Sequence, residues 1–138
     1  MSNKILYNIN GSVGIVSIAE GYSIEDCIEL LPKGCTYCIF SEEQINNTEY
    51  FDDFFEAIVL ENSQIQFNIV KAQEITKQRL RKERAPMFES VDLDIRDAMI
   101  SNDMEKLKKA VAERDRLRDI TLIVDNVNEL SELVAVHI

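Results

Sequence analysis

Apolar and small residues recur at helical spacing through the second half of the chain, at Ile69, Ala72, Thr76, Leu80, Met87, Val91, Ile95 and Ala98, then at Met104, Leu107, Val111 and Leu117. Steps of three, four and seven put these side chains on one face of a helix. The pattern organises the stretch from Ile65 to about Thr121. Ser101, Asn102 and Asp103 interrupt it with residue types that cap helix N-termini, and Glu105 follows in the first turn, where the helix dipole favours a carboxylate. The spacing therefore predicts two helices folded back on each other as an αα-hairpin. Pro86 lacks an amide hydrogen, but the apolar register runs on from Leu80 to Met87, so a kink is expected rather than a break. After Thr121-Leu122-Ile123-Val124, Asn126 or Asn128 is placed to cap a last short helix with Val127, Leu130, Leu133 and Val134 on one side.

The first half follows a period nearer two. Lys4 to Ile9 and Val13 to Ala19 are β-prone runs joined by Asn10-Gly11, a strong two-residue turn signal. Ser23 stands three residues before Asp26 in the spacing of a capping box, ahead of Cys27, Ile28, Leu30 and Leu31, and Pro32 with Gly34 closes this short helix. Thr36 to Phe40 reads as a third strand. Ser41 to Asp53 is polar and acidic with a turn at Asn46-Asn47, Phe54 to Leu60 is the next strand-like run, and Glu61 to Gln64 makes a turn and helix cap. The expected fold is α+β: a small antiparallel ββαβ-like head over residues 1–62, then a coiled-coil-like helical hairpin and a short C-terminal helix over residues 63–138.

Length and charge narrow the function classes. The chain has 138 residues, enough for one domain or a small head plus a helical arm, and a formal net charge of −10. Residues 1–70 carry 11 acidic and 2 basic side chains, whereas residues 71–120 carry 13 basic and 11 acidic. So acidic a chain is a poor binder of nucleic acid, whose phosphates need a basic surface, although an acidic head can imitate one. No stretch approaches the roughly 20 apolar residues of a membrane span, and the start MSNKILYNIN lacks the apolar core of a signal peptide, so a cytoplasmic protein is expected. Cys27, Cys35 and Cys38 read as free thiols; the CxxC spacing of Cys35 and Cys38 has no second ligand pair for zinc.

A catalytic constellation is not evident. The one histidine, His137, is next to the last residue, Gly11-Ser12-Val13-Gly14 lacks a phosphate-cradling spacing, and Asp92, Asp94 and Asp97 are not followed by the glycine of a calcium loop. No cofactor or metal is expected. The basic run Lys77, Arg79, Arg81, Lys82, Arg84 is interleaved with Glu74 and Glu83 rather than with aromatics, and reads as a solvated helix face. Tyr50, Phe51, Phe54 and Phe55 cluster beside Asp52 and Asp53. They either fill the core between sheet and helix or form an exposed aromatic and acidic patch that docks a partner, since aromatic anchors dominate interfaces. The helical face that includes Leu80, Met87, Val91, Ile95, Met104, Leu107, Val111 and Leu117 is expected to close the hairpin and to join copies in a homo-oligomer.

Residues 79–121, RLRKERAPMFESVDLDIRDAMISNDMEKLKKAVAERDRLRDIT, resemble the C-terminal part of small proteins encoded in tail-fibre regions of phages and prophages, many of which also begin with a short β-hairpin like KILYNINGSVGIVSI. The similarity is to tail-fibre-assembly proteins and their neighbours, although ELSELVAVHI replaces their tryptophan- and proline-containing tail. It implies a non-enzymatic factor that acts in the host cytoplasm during assembly. Such a factor binds a phage tail-fibre or other tail protein, as a chaperone or accessory protein, or stays with the virion as a minor component. The alternative from a different class is a phage-encoded acidic inhibitor of a host defence or nucleic-acid enzyme, with the head as a DNA mimic.

Overall fold

The computed structural model describes residues 3–138. In chain order it contains β1 (Asn3–Ile9), β2 (Ser12–Ser17), α1 (Ile24–Glu29), β3 (Tyr37–Ser41), α2 (Glu42–Asn46), a 3-10 turn (Phe55–Ala57), β4 (Ile58–Glu61), β5 (Gln64–Phe67), α3 (Ile69–Ile100), α4 (Met104–Val124) and α5 (Leu130–Ala135). The fold is α+β, and the chain divides into two compact units, Met1–Ala72 and Gln73–Ile138.

In the first unit a three-stranded antiparallel sheet has the order β2-β1-β3. Asn10 and Gly11 both have positive φ, 49° and 79°, as a two-residue turn matched to strand twist requires. The register sets Leu6 opposite Ile15 and Cys38, and Lys4 opposite Phe40, so these residues share one face. Leu6, Val13 and Phe40 on that face meet Ile45 of α2, Phe51 and Ile58 in the core, with Cys38, Phe55, Leu60, Ile65 and Phe67 packed around them. Ile5, on the opposite face, is also fully buried, so the centre of β1 is covered on both sides. Full burial of each such side chain contributes about 1.5–3 kcal/mol.

Helix α1 forms where its cap predicts: Ser23 Oγ accepts from the Asp26 amide at 3.2 Å, and Asp26 Oδ2 accepts from the Ser23 amide at 3.1 Å. The polar segment after Ser41 also carries a short helix, because Ser41 and Gln44 form a second capping box and start α2. Two expectations need correction. Phe54 to Leu60 is strand only from Ile58, being preceded by the 3-10 turn. Glu61 to Gln64 caps no helix: Asn62 and Ser63, both at positive φ, turn β4 into β5. The cap of α3 is Asn68, whose Oδ1 accepts from the Lys71 amide at 3.0 Å. Lys71 Nζ in turn donates to the Gly11 carbonyl at 2.5 Å, tying the start of α3 to the β1–β2 turn.

In the second unit α3 runs through Pro86 without ending. Its buried positions include Thr76, Leu80, Val91 and Ala98, and α4 answers with Ala110, Leu117, Ile120 and Val124. The reversal between them is built from two caps. Asn102, at φ 55°, donates to the Met99 carbonyl, and the Asp103 amide donates to the Ala98 carbonyl at 2.9 Å, the paired bonds of a Schellman ending with asparagine in the usual glycine position. Asp103 Oδ1 then accepts from the Lys106 amide at 3.1 Å and starts α4. Helix α4 continues to Val124, past its expected end. Helix α5 begins after Glu129, which makes no side-chain cap bond, so neither Asn126 nor Asn128 caps it.

Candidate partner-binding site

The segment from Tyr50 to Phe55 lies between α2 and the 3-10 turn. Tyr50 sits at φ 64°, unusual for an aromatic residue, and its carbonyl accepts from the Phe54 amide at 2.9 Å. That tight loop turns the aromatic rings to two depths. Phe51 and Phe54 are buried, Phe55 is half-buried against the core with its ring edge-on to Phe51 at 5.5 Å, and Tyr50 is half-buried with its ring 6.3 Å from Phe54. Asp52 and Asp53 point outward and are exposed, as are Glu49 and Glu56. Ile45, Asn46, Thr48 and residues 50–53 line a shallow depression of about 200 Å³ here. Its rim of carboxylates suits a cationic or hydrogen-bond-donating group on a partner. The aromatic area within it belongs mainly to the core.

The hairpin residues separate by burial. Leu80, Val91 and Leu117 are buried, Ile95, Leu107 and Val111 are half-buried, and Met87 and Met104 are exposed. Three well-exposed apolar residues flank the α3–α4 turn: Met99 is 64% exposed, Ile100 79% and Met104 62%. Met99 and Ile100 escaped the periodic reading because they fall off the apolar stripe. That is itself the available signal, since apolar residues out of register with the buried face must face elsewhere.

The expectation for the basic run on α3 also needs correction. Only part of it is a solvated face. Arg79 donates from Nη2 to the Leu133 carbonyl at 3.0 Å and the Val136 carbonyl at 2.7 Å, and from Nη1 to Glu83 Oε1 at 3.1 Å and His137 Nδ1 at 3.0 Å. Arginine cannot accept, so Nδ1 is the acceptor, and Glu83 Oε1 lies 3.4 Å from the same nitrogen. Arg84 Nη1 donates to the Leu117 and Arg118 carbonyls at 2.9 and 3.0 Å, and its guanidinium lies 5.4 Å from the centre of the Phe88 ring. Gln73 donates to the Val127 carbonyl at 2.8 Å, and Lys77 pairs with Asp125. These cations are committed to holding α4, α5 and the last residues.

Charge pairing tunes several carboxylates. Burial pushes Glu83 up, but the Arg79 hydrogen bond and charge, with His137 nearby, outweigh it and hold the carboxyl below its ordinary value. Bonds from Arg116 and Arg118 lower Glu113 and Asp119 in the same way, and the Ser23 backbone and hydroxyl lower Asp26.

Cys27 is buried and Cys35 and Cys38 are half-buried, all three as free thiols. Among the described residues no group of three or more His, Cys, Asp or Glu is arranged to hold a metal ion, and no helix is long and apolar enough to cross a membrane. No family model, no curated protein and no solved structure matches the chain.

Proposed function

We propose that this protein acts by binding another protein rather than by catalysis, as a fibre-assembly chaperone or accessory factor, or as a minor virion component, of a bacteriophage tail or tail fibre. The observation that carries a binding role is the exposed apolar end of the helical hairpin, where Met99, Ile100 and Met104 flank the turn. Apolar side chains gathered at such a place have a binding energy to give to a partner that covers them. The choice of partner rests on the resemblance read from the sequence of residues 79–121, which lie in the helices that carry this end. Action in the host cytoplasm during assembly, with or without retention in the virion, follows from that reading.

A second reading is supported by Asp52 and Asp53, exposed at the depression on the first unit, and by the exposed Glu56 that follows them: an acidic inhibitor of a host defence or nucleic-acid enzyme. One experiment separates the two. The tagged full chain is captured from phage-infected cells, and the eluate and purified virions are analysed by mass spectrometry. Fibre or tail protein in the eluate, or this chain in the virions, is the expected result. A host nuclease or defence protein in the eluate, with no tail protein, overturns it in favour of the inhibitor.

A further inference from the structure

We infer that the open edge of β3 is a pairing surface for a second copy of this chain, joined strand to strand in an antiparallel register centred on Cys38. The inference stands apart from the tail reading, because it rests on the sheet alone.

Strand β3 lies at the edge of the β2-β1-β3 sheet and, among the described residues, pairs with β1 alone. The Asn8 amide donates to the Thr36 carbonyl at 2.9 Å, which fixes the phase of the ladder. With hydrogen-bonding pairs alternating along an antiparallel ladder, residues 36, 38 and 40 turn their N–H and C=O groups toward β1, and Tyr37 and Ile39 turn theirs outward. Ser41 has the same outward phase, but its amide is taken by Gln44 Oε1 at 2.8 Å. Tyr37 and Ile39 are thus the two residues with both groups free to extend the sheet.

Folded chains commonly protect such an edge with lysine, proline or a bulge. The run Thr36-Tyr37-Cys38-Ile39-Phe40 has none of these residues. Tyr37 and Ile39 also leave their side chains 43% exposed, and they share one face of the sheet.

The two free residues flank Cys38 symmetrically, which makes the edge self-complementary. Tyr37 set opposite Ile39 of the partner subunit, and Ile39 opposite Tyr37 of the partner subunit, satisfies all four groups on each strand. Each pairing sets an aromatic ring beside a β-branched side chain, a favourable cross-strand pair. Charge selects the direction. Lys33 precedes β3 and Glu42 and Glu43 follow it, so antiparallel pairing brings the basic end of one strand to the acidic end of the other, whereas parallel pairing would stack the carboxylates. The surplus of acidic residues in residues 1–70 opposes association, so the dimer tightens as salt screens that repulsion.

The test is sedimentation of the full chain over a range of concentrations at low and moderate salt, beside amide hydrogen exchange followed residue by residue. Expected are a monomer–dimer equilibrium that strengthens with salt, and Tyr37 and Ile39 amides that exchange more slowly as concentration rises. Ile39→Lys should weaken the dimer about ten-fold or more without changing the circular dichroism. Tyr37→Lys, at the other free position, guards against an effect peculiar to one site. A chain that stays monomeric throughout overturns the inference, as does a dimer that forms without protecting either amide or that survives both variants. Protection of these amides by a tail protein, with no self-association, overturns it too.

Discussion

Arg79 shows how much a single side chain decides in the second unit. One planar guanidinium collects the Leu133 and Val136 carbonyls, Glu83 and His137, so the last residues of the chain are held by a fork that lysine cannot reproduce. Arg79→Ala should cost about 1–3 kcal/mol, because two half-buried carbonyls lose a charged donor, and should speed exchange of the Leu133 and Val136 amides. Arg79→Lys should recover only a minor part of the loss in a thermal melt. The same cluster sets an acid limit. The Glu83 pKa is lower folded than unfolded, so its contribution is fully present above the unfolded carboxylate value and is lost as pH falls through the folded one. Glu83→Gln should therefore make stability fall less steeply on acidification, while lowering it at neutral pH. None of this was legible in the run from Lys77 to Arg84, because a basic residue that reaches a backbone carbonyl on another element looks the same in sequence as one that reaches water. The hint was spacing: Gln73, Lys77, Leu80 and Arg84 are four, three and four apart, on one side with a buried leucine.

At the scale of the element, legibility followed how much of the signal is local. The β1–β2 hairpin, the Ser23 capping box and the α3–α4 reversal were readable because Asn-Gly, Ser-x-x-Asp and Ser-Asn-Asp each specify backbone geometry on their own. The β4–β5 hairpin was not, because its turn is Asn62-Ser63 and serine is a poor signal for positive φ, while Ile65 stands four residues before Ile69 and so extends the helical spacing of α3 back into β5. That mismatch gives a prediction. Ser63 at φ 60° carries a left-handed cost of about 1–2 kcal/mol that glycine avoids, partly offset by the extra freedom glycine has when unfolded. Ser63→Gly should thus raise the melting temperature by a few degrees. The opposite is expected at Gly14, whose Cβ, if present, would run into the ring of Tyr7 directly across the ladder. Gly14→Val should displace that ring and lower the melting temperature, with the loss visible in the near-ultraviolet signal of the tyrosine.

For the molecule as a whole, the contrast between an acidic first half and a balanced helical second half was plain in the sequence, but its use was not, because charge counts do not say which side chains are already paired. The structure assigns Lys77, Arg79, Arg81 and Arg84 to partners within the second unit and leaves Asp52, Asp53 and Glu56 exposed on the first. Two surfaces of different chemistry result, one apolar at the hairpin turn and one acidic beside Tyr50, and they can be disabled separately. Ile100→Glu with Met104→Glu places charge where a tail protein would have to bury apolar area; because both residues are well exposed, the melting temperature should stay within about a degree or two of the parent, surface changes of this kind costing little. Capture of the tail protein from infected cells should drop about ten-fold or more, since a buried unpaired carboxylate costs more than the 1.4 kcal/mol that corresponds to that factor. Asp52→Asn, Asp53→Asn and Glu56→Gln together should leave that capture intact. If the acidic triple variant loses the tail protein while the hairpin variant keeps it, binding runs through the carboxylates beside Tyr50 and not through the hairpin turn.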